Sequence, residues 1–413
     1  MTDETTERSA REVPSDQSEQ SEVATQVAGS VSSTSAGRPQ VSTRDADDLR
    51  ARLGTWFAGR PGIGGDPRID AFERPETNGM SSETLLFDAS WNGPDDAARV
   101  TGRFVARLCP DVSAFPVFPT YDMGRQAQVM RLVGARTQAP VPPVRWDEPD
   151  SRPLGAPFFV MDRVDGQVPP DVMPYTFDGS WLTDATAEQR ARLQARSVEA
   201  LAAIHGIAAG GADTAFLELD LPGDTPLRRH FANERAYYEW VRQGHSYGVI
   251  ERAFDWLEAH WPESAEAAPP VVVWGDARIG NVLYQDFEPA AVLDWEMATV
   301  GPREIDLGWF IFLHRFFEDL TGELGMAGLP DFLQRHEVAS QYAVASGHEP
   351  RDLDWFITYA ALRHGSIMAR VLSRSVAFGE QEMPADPQEM VMHRKSIDAL
   401  VAGTYWSDPI GPG

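Results

Sequence analysis

Asp276, Asn281 and Asp294 are the residues of this chain whose types and spacing invite chemistry. An apolar run, Val271-Val272-Val273-Trp274, delivers Asp276 to a polar loop that also holds Asn281. A second apolar run, Ala290-Ala291-Val292-Leu293, ends in Asp294. Two oxygen donors at neighbouring strand ends suit magnesium, which takes few protein ligands and completes its shell with water and phosphate. Asp276 is then left to accept a proton from a hydroxyl group. Arg278, two positions beyond it, could lie over a transferring phosphoryl group and offset its charge. Base, metal ligands and cation are the parts that phosphoryl transfer requires.

The rest of the composition narrows the field. The chain has 413 residues, with 36 Lys+Arg against 62 Asp+Glu and a formal net charge of −26. That balance excludes a nucleic-acid binder, whose phosphate contacts need a basic face. It tolerates a cationic small molecule. Cys109 is the single cysteine, so neither a disulfide framework nor a cysteine-built zinc site is available. No apolar run approaches the ~18 residues of a membrane span, and no secretion signal is visible. A cytoplasmic protein without membrane association is expected, and no protein partner can be inferred. Lys395 is the only lysine, so 35 of the 36 bases are arginine. This excludes the Walker A phosphate loop, which needs a lysine after its glycines.

Elements that could position these residues follow from patterning. Residues 1–45 are rich in Ser, Thr, Gln and Glu and predict a disordered acidic tail. Short apolar runs at Thr84–Trp91, Phe104–Leu108, Val144–Trp146 and Phe158–Met161 predict strands, with a helix at Met123–Val133 spaced on Met123, Ala127, Met130 and Val133. Beyond Gly166 amphipathic helices are predicted at 186–206, 247–261, 303–320, 351–374 and 387–402. The expected organisation is α+β: a small β-rich N-lobe over 46–163, a larger, mostly helical C-lobe over 164–413, and a cleft between them.

These residues resemble the aminoglycoside phosphotransferase family, within the protein-kinase-like fold. Asp276, Arg278 and Asn281 match the spacing of base, cation and metal-binding Asn in the kinase catalytic loop, and Asp294 matches the metal-binding Asp of the later triplet. The resemblance implies transfer of the γ-phosphoryl group of ATP or GTP, with Mg2+, to a hydroxyl of a small molecule, an aminoglycoside among the candidates. Asp276 and Arg278 would be catalytic, and Asn281 and Asp294 would hold the metal. Pro157 to Gly166 looks like the strand and hinge that read adenine, which nominates Met161 and Arg163 for the nucleotide. Asp306 resembles the acid that braces the catalytic loop.

Three positions depart from the family pattern. Trp274 stands where a loop-orienting His is usual. Arg107, in Phe104-Val105-Ala106-Arg107, replaces the phosphate-binding lysine. Gln126 replaces that lysine's glutamate, which leaves hydrogen bonding or another acid such as Asp122 to hold Arg107. The phosphate-covering turn, Thr77 to Ser82, has one glycine, Gly79, with Ser81 and Ser82 as hydroxyl donors. Two alternatives follow. A nucleotide-binding pseudokinase accommodates the three departures. A serine hydrolase is suggested by Gly244-His245-Ser246-Tyr247-Gly248, although the segment before Ser246 has helical character where a nucleophile elbow needs a buried strand.

Overall fold

The computed structural model describes residues 45–75, 82–93, 98–110 and 115–406. The tail expected over 1–45 lies almost wholly outside these residues, as do Gly79 and Ser81. The first described helix, α1 (Ala46–Ala58), starts where the Asp45 side chain accepts the N–H groups of Asp47 and Asp48. This is N-capping by a residue type well suited to it. A five-stranded antiparallel sheet follows, in the order β1-β2-β3-β5-β4. Its strands are β1 (Arg68–Glu73), β2 (Glu83–Asn92), β3 (Arg99–Leu108), β4 (Val144–Glu148) and β5 (Phe158–Asp162).

Alternation along the strands gives the sheet two unlike faces. Leu85, Phe87, Phe104, Ala106, Phe158 and Val160 point to one face and pack under Leu49, Leu53, Trp56 and Phe57 of α1. Val105, Phe159 and Met161 point to the other. There they meet α2 (Met123–Arg136), whose Met123, Ala127, Met130 and Val133 are all buried, as their spacing predicts. Arg107 shares the parity of Val105 and therefore stands on this second face, opposite Phe159 in the β3–β5 register. The apolar core of that face runs on without a break into the helical half of the chain.

The helical half contains α3 (Ala187–Ile204), α4 (Pro226–Arg242), α5 (Gly248–Ala259), the single turn α6 (Glu263–Glu266), α7 (Glu304–Glu323), α8 (Arg335–Ser346), α9 (Leu353–Ala377) and α10 (Arg394–Val401). Between α6 and α7 lie four short strands: β6 (Val271–Val273), β7 (Val282–Gln285), β8 (Glu288–Val292) and β9 (Thr299–Gly301). The apolar runs expected to be neighbouring strands do not pair with each other. Instead β6 pairs with β9 and β7 with β8, so each ladder is closed by a strand too short to be read from periodicity.

Two helix expectations change. The helix predicted over 387–402 is interrupted: a 3-10 turn at Pro387–Met390 gives way to extended backbone at Val391, and α10 starts only at Arg394. The break lets Met390, Val391 and His393 all turn inward, with His393 Nε2 bonded to the Ala361 carbonyl of α9 at 2.8 Å. Helix α8 was not anticipated, because only Val338 and Tyr342 on it are buried and its polarity is nearly even around the axis. Helices α7 and α9 cross closely at Gly308, where a Cβ would stand 2.5 Å from the Phe356 carbonyl oxygen. No described helix is long and apolar enough to cross a membrane.

Burial holds several histidines neutral. It lowers His314 to about 3 and His393 to about 4, and pushes His230 and His364 in the same direction. The unfolded chain, with imidazoles near ~6.5, therefore binds more protons than the native state in acid. Stability is expected to fall progressively below about pH 6.5 as this difference develops. Urea unfolding at pH 7.5, 6 and 5 checks it; a midpoint that rises toward pH 5 contradicts it.

Candidate active site

The site is built around a buried carboxylate. Asp306, in the first turn of α7, is fully buried. Its Oδ2 accepts the backbone N–H of Trp274 at 2.7 Å, and its Oδ1 accepts that of Gly275 at 2.8 Å. Oδ2 also meets His205 Nε2 at 2.9 Å, and the other nitrogen of that ring meets the Tyr342 hydroxyl at 2.7 Å. The two N–H groups leave β6 in a tight turn, with Gly275 at φ +90° and a Cβ there only 2.1 Å from the Met297 carbonyl oxygen. Only glycine fits both the conformation and the space. The turn aims Asp276 outward.

Three side chains donate to Asp276. The indole of Trp309 reaches Oδ1 at 2.7 Å, Arg278 Nε reaches Oδ1 at 3.2 Å, and Asn281 Nδ2 reaches Oδ2 at 2.6 Å. Asn281 ends a 3-10 turn, Ile279–Asn281, and its carbonyl accepts the N–H of Leu293 at 2.9 Å. That bond draws the second loop against the first. Asp294 then follows in the left-handed region, φ +56°. The Trp274 indole donates to the carbonyls of Leu293 and Asp294 at 2.9 and 3.1 Å. The expectation that Trp274 costs the loop an orienting side chain is thus corrected, since its ring ties both loops together.

Arg107 comes from the sheet. Its Nη2 lies 2.8 Å from Asp294 Oδ1, across a sequence separation of 187. Neither expected partner holds it. Asp122 is occupied as the N-cap of α2, accepting the N–H of Arg125 at 2.8 Å, and Gln126 is buried on that helix. Arg278 is held between Asp276 and Asp171. Burial acts against its charge, but these two carboxylates outweigh it and raise its pKa further, so it is a permanent cation.

Of the other nominated residues, Met161 is buried on the face of Phe159, and the Arg163 N–H is committed to the Arg103 carbonyl at 2.9 Å. Ser82 is buried with no hydrogen bond to its Oγ among the described residues. Ser246 is exposed between α4 and α5 and donates to the Glu251 carboxylate at 3.0 Å. A helix, not a strand, precedes it, so the hydrolase elbow is absent. Trp309 opens an aromatic run, Trp309 to Phe317, whose pattern by itself reads as core. Its place one turn after Asp306 on the same helix was the signal that it could face the loop. Arg363 and Asp171 carried no such signal, because each reaches the site through tertiary contact alone.

A cavity of about 390 Å³ adjoins the loop, walled by Tyr121, Tyr237, Trp240 and Met297, with Glu234 and Arg363 at its base. Arg363 Nη2 donates to the Gly275 carbonyl at 3.2 Å. The Asp294 carboxylate and the amide oxygen of Asn281, whose nitrogen is spent on Asp276, make a hard-oxygen donor pair that fits magnesium. Among the described residues there is no cluster of three or more His, Cys, Asp and Glu to suggest another metal.

A two-part α+β architecture with an acidic, arginine-flanked loop pair of this kind defines a kinase-like phosphotransferase. The model of the phosphotransferase enzyme family matches residues 94–346, and the chain belongs to that family. It is similar to a structure from Ralstonia eutropha described as an aminoglycoside phosphotransferase, with 19% identity, a TM-score of 0.59, and coverage of 87% of this chain and 98% of that one. The gentamicin complex of APH(2")-IIa aligns with 12% identity and a TM-score of 0.54, covering 88% of this chain and 99% of the other. Among curated proteins, a probable acyl-CoA dehydrogenase of Arabidopsis thaliana is 27% identical over 317 residues, which is 72% of this chain but 35% of that protein. A mouse acyl-CoA dehydrogenase family member is 24% identical over 71% of this chain and 27% of its own length. The chain thus spans about a third of the length of these relatives.

Replacing Asp306 by Asn keeps its shape but leaves one buried N–H without a good acceptor. A loss of about 1–3 kcal/mol is expected, read as a lower urea midpoint with unchanged slope; an unchanged midpoint would show that the brace is dispensable.

Proposed function

We propose that the chain transfers the γ-phosphoryl group of ATP or GTP to a hydroxyl of a small molecule. The observation that carries this reading is the convergence of Asp276, Asn281 and Asp294 on one another, with Arg107 reaching Asp294 from the opposite sheet. Asp276 is the base. Its carboxylate accepts the proton of the acceptor hydroxyl as the oxygen attacks phosphorus. Asn281 and Asp294 would hold magnesium, which would neutralise charge on the donor phosphates. Arg107 and Arg278 supply the remaining positive charge, each as a planar fork suited to phosphate oxygens. In this reading Gly79, Ser81, Ser82, Met161 and Arg163 would serve the nucleotide, with 46–163 as the nucleotide lobe and 164–413 as the lobe for the acceptor. The cavity beside Met297 is the acceptor site in this reading, since Met297 packs directly over Gly275. A cytoplasmic enzyme, supplied with nucleotide there, goes with it.

The pseudokinase alternative is less well supported, because the three chemical positions are retained, with Asn281 bonded to Asp276 and Arg107 to Asp294. The acceptor is best sought by nucleotide consumption, with ATP and GTP, across aminoglycosides, sugars, amino alcohols and lipid-like alcohols. A hydroxyacyl-CoA belongs in the set, since the curated relatives carry acyl-CoA dehydrogenase names. Turnover of another alcohol with aminoglycosides at blank level would remove the aminoglycoside and keep the kinase.

Asp276→Ala is expected to lower kcat by ~10²–10⁴ with nucleotide affinity nearly intact, whereas Asp294→Ala should abolish the magnesium dependence of nucleotide binding. Single-turnover transfer and calorimetry separate the two, and full turnover by Asp276→Ala would falsify the mechanism.

Arg107 separates kinase from pseudokinase. Arg107→Ala removes a charge-assisted contact of roughly 1.5–3 kcal/mol, so ATP should bind about tenfold or more weakly, and Arg107→Lys should recover only part. Unchanged ATP affinity in Arg107→Ala would put the pseudokinase reading first.

A further inference from the structure

We propose that Trp309 is the positioning residue of the catalytic base, with Arg363 as the brace that holds its ring. The proposal rests on Asp276 being that base. Trp309 is almost fully buried, and its indole N–H lies 2.7 Å from Asp276 Oδ1. The other donors to this carboxylate, Asn281 and Arg278, each have another duty during transfer: Asn281 toward the metal and Arg278 toward phosphate. Trp309 has none. It alone can fix Oδ1 throughout the reaction while Oδ2 turns to the acceptor hydroxyl.

The residue type suits the task. An indole donates one hydrogen bond, accepts none and does not titrate. It therefore cannot exchange a proton with the base, as a Lys, His or Tyr in the same place could. The ring is fixed in turn by Arg363, which is 1% exposed and stacks over it with Cζ 4.5 Å from the centroid. The same guanidinium donates to the Gly275 carbonyl at 3.2 Å and pairs with Glu234 Oε1 at 3.5 Å. One buried cation thus touches the backbone just before Asp276 and the ring that holds its side chain. Arg363 also lies at the base of the cavity, so a molecule seated there would press on the brace.

The test uses the full chain with Mg–ATP, reading ADP release with water as the acceptor, beside ATP affinity by calorimetry. Trp309→Phe keeps a ring under Arg363 and removes the N–H. kcat should fall by about tenfold to a hundredfold, the range expected of a hydrogen bond to a charged group, with ATP affinity within about twofold. In an Asp276→Asn background the same change should cost nothing further. If Trp309→Phe unfolds, benzothienylalanine at 309 preserves the shape without the N–H. A readout independent of turnover is the indole N–H resonance of Trp309, identified by its loss in Trp309→Phe, which should move in Asp276→Asn. Wild-type kcat in Trp309→Phe, or an unmoved resonance, overturns the positioning role alone if Asp276→Ala has lost activity. Full turnover by Asp276→Ala overturns the base assignment and this proposal with it.

Discussion

Everything at the site hangs from Asp306. A carboxylate taken wholly out of water needs its lone pairs filled, and charge-assisted bonds are the strongest way to fill them. Here the partners are consecutive backbone N–H groups at the end of β6 and a histidine from the end of α3. Because both N–H groups belong to the loop, the charge sets the direction in which the chain leaves the strand. Gly275 makes the turn possible, and Asp276 inherits its aim. The loop's conformation is thus decided in the first turn of a helix that meets Asp276 through Trp309.

A second constraint joins the two halves of the chain. The sheet contributes a cation, Arg107, and the helical half contributes its acid, Asp294. Their pairing brings the Arg107 face of the sheet onto the loop that carries Asp294. Trp274 secures the same loop through carbonyl oxygens alone, so its indole makes no claim on the Asp294 carboxylate.

Much of this was legible in the sequence because it is local. The loop residues lie within a few positions of one another, and the α2 stripe, the parity of Arg107 and most helix bounds follow from periods of 3.6 and 2. What was missed is what tertiary packing decides. The partner of Arg107 depends on how the sheet sits over a loop 187 residues away. Arg363 is one of two buried arginines on its helix, with Arg370, and its pattern gives no hint of the ring it covers. Trp309 looked like core because it is core; only the direction of its N–H makes it functional. The break near Val391 reflects an inward-turned histidine, a polar residue that periodicity assigns to the surface.

The use of arginine in place of lysine has a consequence for the enzyme's chemical durability. Lys395, the one lysine, is exposed on α10, and neither cation at the site has a primary amine. A lysine in such a place can be acylated by a thioester or captured by an aldehyde as an imine, and either event removes its charge or its reach. Guanidinium groups, protonated at any physiological pH, resist both. The positive charge at this site therefore does not depend on an amine that a thioester or a simple aldehyde could consume.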